Sequence, residues 1–176
     1  MIPLKNLYES GEQKMIPAVL LYAFHEDKVL MIHRNLMAND FHEGKWNGLG
    51  GKHEAGESAL ECAIREFKEE SGCSTSNDQW KWTGHLHFPN FKPHKNEDWS
   101  VTVFRCELKK EQLAEVIEKN KEGTLQWIPS SEVLKLSLWP GDRHFIPHVL
   151  NKTAFNGTFY YLNGELNRFI CNPILG

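Results

Sequence analysis

No stretch of the chain approaches the ~20 apolar residues that a helix needs to cross a bilayer, so a helical membrane span is excluded. Basic runs and stripes are missing too. The 20 Lys and Arg face 23 Asp and Glu, giving a formal charge of −3 and a pI near 6.3. A general nucleic-acid binder would gather positive charge on one face, so no stable nucleic-acid partner is expected. Cysteine is scarce: Cys62, Cys73, Cys106 and Cys171 form neither a CxxC pair nor a disulfide framework. The N-terminus shows no signal-peptide pattern, so the expectation is a cytoplasmic protein with reduced thiols. Low-complexity linkers and internal repeats are also lacking. One domain over residues 1–176 is then the simplest organisation, with 1–14 as a mobile N-terminal extension.

What the chain does have is regular alternation of element signals. Apolar runs at 16–24 and 29–33, parted by His25, Glu26 and Asp27, predict a hairpin. Residues 34–47 form a long polar loop, a length often tied to function in compact domains. Strands are predicted over 79–88, 99–108 and 124–128, with short helices over 109–118 and 130–136. Asp142 is the expected cap of a last helix running to about 152. Segments 155–162 and 165–170 read as a closing hairpin around Asn163-Gly164. His85 and His87 share a strand face, but no Cys or third His completes a zinc set; they read as ordinary strand residues.

The densest chemistry lies between Gly51 and Cys73, GKHEAGESALECAIREFKEESGC. Ser58 and Glu61 form a capping-box pattern, Gly72 is a natural stop, and Leu60, Ala63, Ile64 and Phe67 make an apolar stripe at helical spacing. On this well-specified helix Glu66, Glu69 and Glu70 fall at spacings of three and four, about 5–6 Å apart at Cβ. Like charges so placed repel. A hard divalent cation between them relieves that, and Mg²⁺ favours carboxylate oxygens shared with substrate phosphates. Arg65 is within reach of Glu69 and of Glu57.

The segment fits G-x5-E-x7-R-E-U-x-E-E-x-G-U, with U a bulky apolar or similar residue, and every fixed position is filled. It resembles the signature of the Nudix hydrolases. That resemblance implies an α+β fold, an α/β/α sandwich around a mixed central sheet. It also implies an enzyme that hydrolyses a nucleoside diphosphate linked to another group, using Mg²⁺ or Mn²⁺. By the same likeness, Glu66, Glu70 and the Gly50 carbonyl hold the chief metal and Glu69 supports a second. Glu122, just before a strand, adds a carboxylate from outside the helix. Glu66, Glu69 and Glu122 are then the catalytic acids, with the general base left open between Glu69 and Glu122. Gly51, Glu57, Arg65 and Gly72 are structural.

The likeness extends beyond the signature. HEGKWNGLGGK at 42–52, EGTLQWIP at 122–129 and LWPGD at 138–142 resemble MutT-type enzymes that destroy oxidised purine nucleoside triphosphates such as 8-oxo-dGTP. This implies nucleotide-pool sanitation, which prevents DNA damage, with release of a monophosphate and pyrophosphate. Asn47 and Asp142 would read the base edge and Trp139 would stack on it. Phe41 and Phe88 would wall the pocket, and Lys52 would touch phosphate. Where some members carry two adjacent acids, this chain has Gly141 and Asp142. Phe88 and Pro89 stand where diadenosine polyphosphate hydrolases carry a tyrosine, and Pro89 is similar to a proline of ADP-ribose pyrophosphatases. Hydrolysis of an RNA 5′-triphosphate or another nucleoside-diphosphate derivative is the alternative reaction. A non-catalytic nucleotide sensor is the alternative class. A nucleotide is the expected partner, and the protein a monomer or small homo-oligomer.

Overall fold

The computed structural model describes residues 6–36 and 42–174. Strands β1 (Lys14–His25) and β2 (Lys28–His33) form the expected hairpin, with Glu26 in the left-handed region at its tip. The two strands pair only from Ala23–Leu30 to His25–Lys28 and then fork. Into that fork runs the chain from 46 to 52. It begins as β3 (Trp46–Asn47), pairs Asn47 with Ile32, then crosses to β1 through Leu49–Leu21 and Ala18–Lys52 bridges. The segment that leads into the signature is thus a sheet element hydrogen-bonded on both sides, not a free loop.

Helix α1 (Ala59–Ser71) follows, then β4 (Trp80–Lys92), β5 (Glu97–Glu107) and β6 (Thr124–Pro129). Helix α2 (Asp142–Leu150) precedes β7 (Phe155–Leu162) and β8 (Glu165–Pro173). The sheet order is β3-β2-β1-β5-β4-β7-β8, with β6 on the outer edge of β2. β1–β5 and β4–β7 are parallel and the other strand pairings antiparallel, so the sheet is mixed.

Alternation along β1 divides the interior. Val19, Leu21 and Ala23 point to one side and pack with Cys62, Ala63 and Phe67 of α1. Ala18, Tyr22 and Phe24 point to the other and pack with Phe145, Ile146 and Val149 of α2. A helix therefore covers each face, which is the sandwich expected.

Some local expectations are corrected. The segments at 109–118 and 130–136 are 3-10 turns, Lys110–Glu115 and Ser130–Lys135, because each is too short to bury a full helical face. Asp142 does not cap α2: Gly141 occupies the cap position, and Asp142 lies inside the first turn. The buried face of α1 is turned from the stripe read in sequence. Cys62, Ala63, Phe67, Glu70 and Ser71 are buried, while Leu60 and Ile64 are only half-covered at its margin. Part of the N-terminal extension is tied down. Tyr8 and Gln13 both donate to the carboxylate of Asp98, Gln13 at 2.8 Å. Residues 1–5 lie outside the described residues.

Candidate active site

Helix α1 carries the acids, and its ends are well fixed. Ser58 accepts from the Glu61 N–H while the Glu61 side chain accepts from the Ser58 N–H, at 3.3 and 2.9 Å. Gly72 closes the helix with φ 78°, and Lys68 Nζ donates to its carbonyl at 2.6 Å. Arg65 joins helix to loop. Its guanidinium donates to both oxygens of Glu57 at 2.7 and 2.9 Å and to the Lys52 carbonyl at 3.0 Å. It also reaches Glu66 at 2.8 Å and Glu69 at 3.5 Å. The Arg65 hydrogen bonds hold the Glu57 carboxyl down to about 2. Through these contacts Glu57 and Arg65 tie the loop to the helix.

The acids differ in setting. Glu70 is buried, and the Gly50 N–H donates to its carboxylate at 2.8 Å. Burial pushes its carboxyl up to about 8, and the charges of Glu122 and Glu66 add to the rise. Glu66 lies so close over Gly51 that a Cβ there would sit 2.3 Å from its oxygen, so any side chain at 51 would push the Glu66 carboxylate aside. Glu69 is exposed beyond Arg65. Glu122 accepts from Arg34. One further residue ties this group together: the Asn120 amide donates to the Glu70 carbonyl at 3.0 Å and accepts from the Glu122 and Gly123 N–H groups at 2.8 and 3.1 Å.

Among the described residues no three His, Cys, Asp or Glu side chains already converge as a metal cluster. The reason is visible in the contacts: Glu66 is turned to Arg65, Glu122 to Arg34 and Glu70 to Gly50 N–H. The donor set still fits a hard cation. It offers carboxylate oxygens, and Glu122 and Glu66 lie near enough for their charges to raise the Glu70 carboxyl.

Beside the acids opens a cavity of about 210 Å³. Gly50, Gly51, Arg34 and Glu70 line one part; Asn47, Phe88, Trp139 and Asp142 line it too, with Tyr161, Phe91 and Trp99. Residues from eight elements and the loops between them thus meet around this cavity. Asn47 faces it from β3, and its amide bonds no described residue. Trp139 is held by its edges: Nε1 donates to His42 Nδ1 at 2.8 Å, and the ring meets Tyr161 edge-on at 6.1 Å. Burial pushes the Asp142 carboxyl up to about 7, with Lys45 and Arg143 opposing. Phe88 stacks into an aromatic group with Phe91 and Phe159 at 5.3 and 5.9 Å. Lys52 does not line the cavity; its ammonium sits 5.2 Å from the Trp99 ring centre, and that of Lys92 at 4.8 Å. Phe41 lies outside the described residues.

Sequence reading missed Arg34, Asn120, Lys92, Phe91, Trp99 and Tyr161. Tyr161 had a faint signal, since it continues the alternate face of Phe155, Gly157 and Phe159. Asn120 had none; its role depends on which backbone groups the fold brings near it.

A family model for the NUDIX domain matches residues 14–149. The chain belongs to the Nudix family. Nudix enzymes are hydrolases of pyrophosphate-containing substrates that generally use divalent metals, and this chain is such a hydrolase. It is 28% identical over 137 residues to an uncharacterized Nudix hydrolase of Bacillus subtilis, covering 77% of this chain and 80% of that one. It is 31% identical over 121 residues to the oxidized purine nucleoside triphosphate hydrolase of Mus musculus, covering 69% and 72%. Among solved structures, a MutT protein from Bacillus halodurans superposes with a TM-score of 0.76 at 29% identity, covering 89% of this chain and 97% of that one. No helix among the described residues of this Nudix chain is long and apolar enough to cross a membrane.

Proposed function

We propose that this Nudix hydrolase acts on purine nucleoside triphosphates, oxidised forms such as 8-oxo-dGTP among them, and releases a monophosphate and pyrophosphate. The observation that carries the reading is the shared cavity. Asn47, Trp139 and Asp142 line it together with Glu70, Gly50 and Gly51, so a base and its phosphates have places in one depression. The named activity of the mouse relative supports it. Nucleotide-pool sanitation in the cytoplasm is the corresponding role.

Mg²⁺, when bound by Glu66, Glu70 and the Gly50 carbonyl with Glu69 and Glu122 near, supplies neutralisation of phosphate charge and a more acidic water. The chain's own residues do the rest. Arg65 orients Glu66 and Glu69 while bracing the loop through Glu57. Gly50 N–H fixes Glu70, and Arg34 fixes Glu122. A water attacks the β-phosphorus, the bridge to the α-phosphorus breaks, and the water's proton passes to Glu69 or Glu122. Trp139 stacks on the base, a contact worth about 1–3 kcal/mol for aromatic–base pairs. Asn47 and Asp142 meet the purine edge.

A second reading has an observation of its own. Lys92, His94 and Lys95 line a further cavity that shares Phe91, Lys92 and Tyr161 with the first. A phosphate following the first nucleoside would find cations there, which favours the 5′ end of a triphosphorylated RNA. One panel separates the two: kcat/KM for 8-oxo-dGTP, dGTP, dATP, dCTP, a diadenosine polyphosphate, an NDP-sugar and 5′-triphosphorylated RNA. Oxidised and ordinary purine triphosphates should lead. A lead by the RNA would replace the first reading with the second. Binding without turnover in any divalent metal would leave only the sensor.

A further inference from the structure

A side chain at position 141 has no room. A Cβ on Gly141 would lie 2.6 Å from Tyr161 Oη and 3.0 Å from the Phe159 ring. The hydroxyl is fixed in that place, because the Gly141 N–H donates to it at 2.8 Å. Its ring is wedged edge-on against Trp139 at 6.1 Å and Phe91 at 6.0 Å. β7 delivers it there by simple alternation, since Phe155, Gly157, Phe159 and Tyr161 share one strand face. Tyr161 lines the same cavity as Asn47, Trp139 and Asp142. Its oxygen accepts from Gly141, and no described residue takes the phenolic proton.

We propose that Tyr161 Oη is a further base-reading group of this site: it donates its proton to the exocyclic oxygen of a 6-oxopurine and so selects 6-oxopurines over 6-aminopurines. This rests on the purine triphosphate reading above. A carboxyl accepts when ionised and donates when protonated. Two adjacent carboxyls sharing a proton can therefore face either an oxygen or an amine at position 6. A phenol in that place does not switch protonation state as a carboxyl pair does. Burial pushes the Tyr161 hydroxyl up to about 12, and the charge of Asp142 adds to the rise, so it stays O–H at any working pH. Gly141 N–H already takes one of its acceptor positions, and the proton is what it has left to offer the base from that place. A guanine-type ring presents O6, an acceptor, and an adenine-type ring presents N6–H₂, a donor. The first completes a hydrogen bond with Tyr161; the second sets hydrogen against hydrogen.

The test is kcat/KM for dGTP, dITP and 8-oxo-dGTP against dATP and 8-oxo-dATP, with wild type and Tyr161→Phe. Wild type should prefer the 6-oxo set. Loss of one neutral hydrogen bond should lower the 6-oxo values about tenfold. The 6-amino values should hold or rise, so that the ratio collapses. An equal loss on both sets would show a purely structural hydroxyl and overturn the proposal. So would an unchanged ratio. Should Tyr161→Phe fail to fold, the wild-type ratio decides: equal use of dGTP and dATP refutes it. Absence of turnover on every purine triphosphate would sink the functional reading itself, whereas a 6-oxo preference that survives Tyr161→Phe sinks only the role of Tyr161.

Discussion

Glu69 and Glu70 are neighbours in the chain and opposites in environment. One is exposed beside Arg65, the other buried against Gly50. Glu70→Gln keeps the shape and the Gly50 hydrogen bond but removes the charge a cation would need. It should lower kcat by orders of magnitude while the fold persists, and near-normal turnover of the folded variant would remove Glu70 from the metal set. Asp142 gives a pH prediction. Its carboxyl rises from its ordinary value of 3.8 to about 7, chiefly by burial. Below the lower value it is protonated in both folded and unfolded chains and contributes nothing. Above the upper value the folded state bears the whole cost of a buried charge, on the order of a few kcal/mol. Asp142→Asn should therefore leave the melting temperature unchanged near pH 4 and raise it above pH 7. Equal shifts at both ends would mean that burial is not the cause. For function, Asn47→Ala and Asp142→Ala should each reduce kcat/KM more for purines than for pyrimidines. Uniform losses on all nucleotides would make both residues structural.

At the scale of elements, the site depends on the forked β1–β2 hairpin and on the brace between loop and helix. Arg65 makes six polar contacts from one planar group, to Glu57, Glu66, Glu69, the Lys52 carbonyl and Cys62 Sγ. A lysine cannot span them. Arg65→Lys should cost about 1.5–3 kcal/mol in urea unfolding, as for a lost charge-assisted bond. It should also lower kcat, because Glu66 loses its guide. A variant with unaltered stability would show the brace to be redundant. Acid supplies a related check. The Glu57 carboxyl is depressed to about 2, so its contribution is full above its ordinary value of 4.5 and lost as pH falls toward 2. The urea-unfolding midpoint of Glu57→Gln should accordingly depend less on pH in that window than that of wild type.

At the scale of the whole molecule, the cavity lies on the side of the sheet where β1, the β3 segment, β4, β5 and the β6–α2 connection come together. Hydrolysis in ¹⁸O-water should place the label in pyrophosphate if water attacks the β-phosphorus there. Label in the nucleoside monophosphate would move the attack to the α-phosphorus.

The sequence by itself determined the family, the sandwich and the helix of acids. Those rest on local rules: a filled motif, a capping box, a glycine stop, and apolar periods of two and 3.6 that a reader can count. It also named Asn47, Trp139 and Asp142, through stretches whose likeness to MutT-type enzymes survives in order along the chain. Only the tertiary structure decided what surrounds each of them. Glu70 and not Glu69 goes inward because the β1–β2 fork brings Gly50 N–H beneath it. Asn120 matters because its amide meets the backbone at both Glu70 and Glu122, contacts that no spacing encodes. Gly141 is not a vacancy but the room that Tyr161 needs, twenty residues further on in β7. Periodicity records which face a residue shows; the distance between two faces is set only when the sheet is assembled.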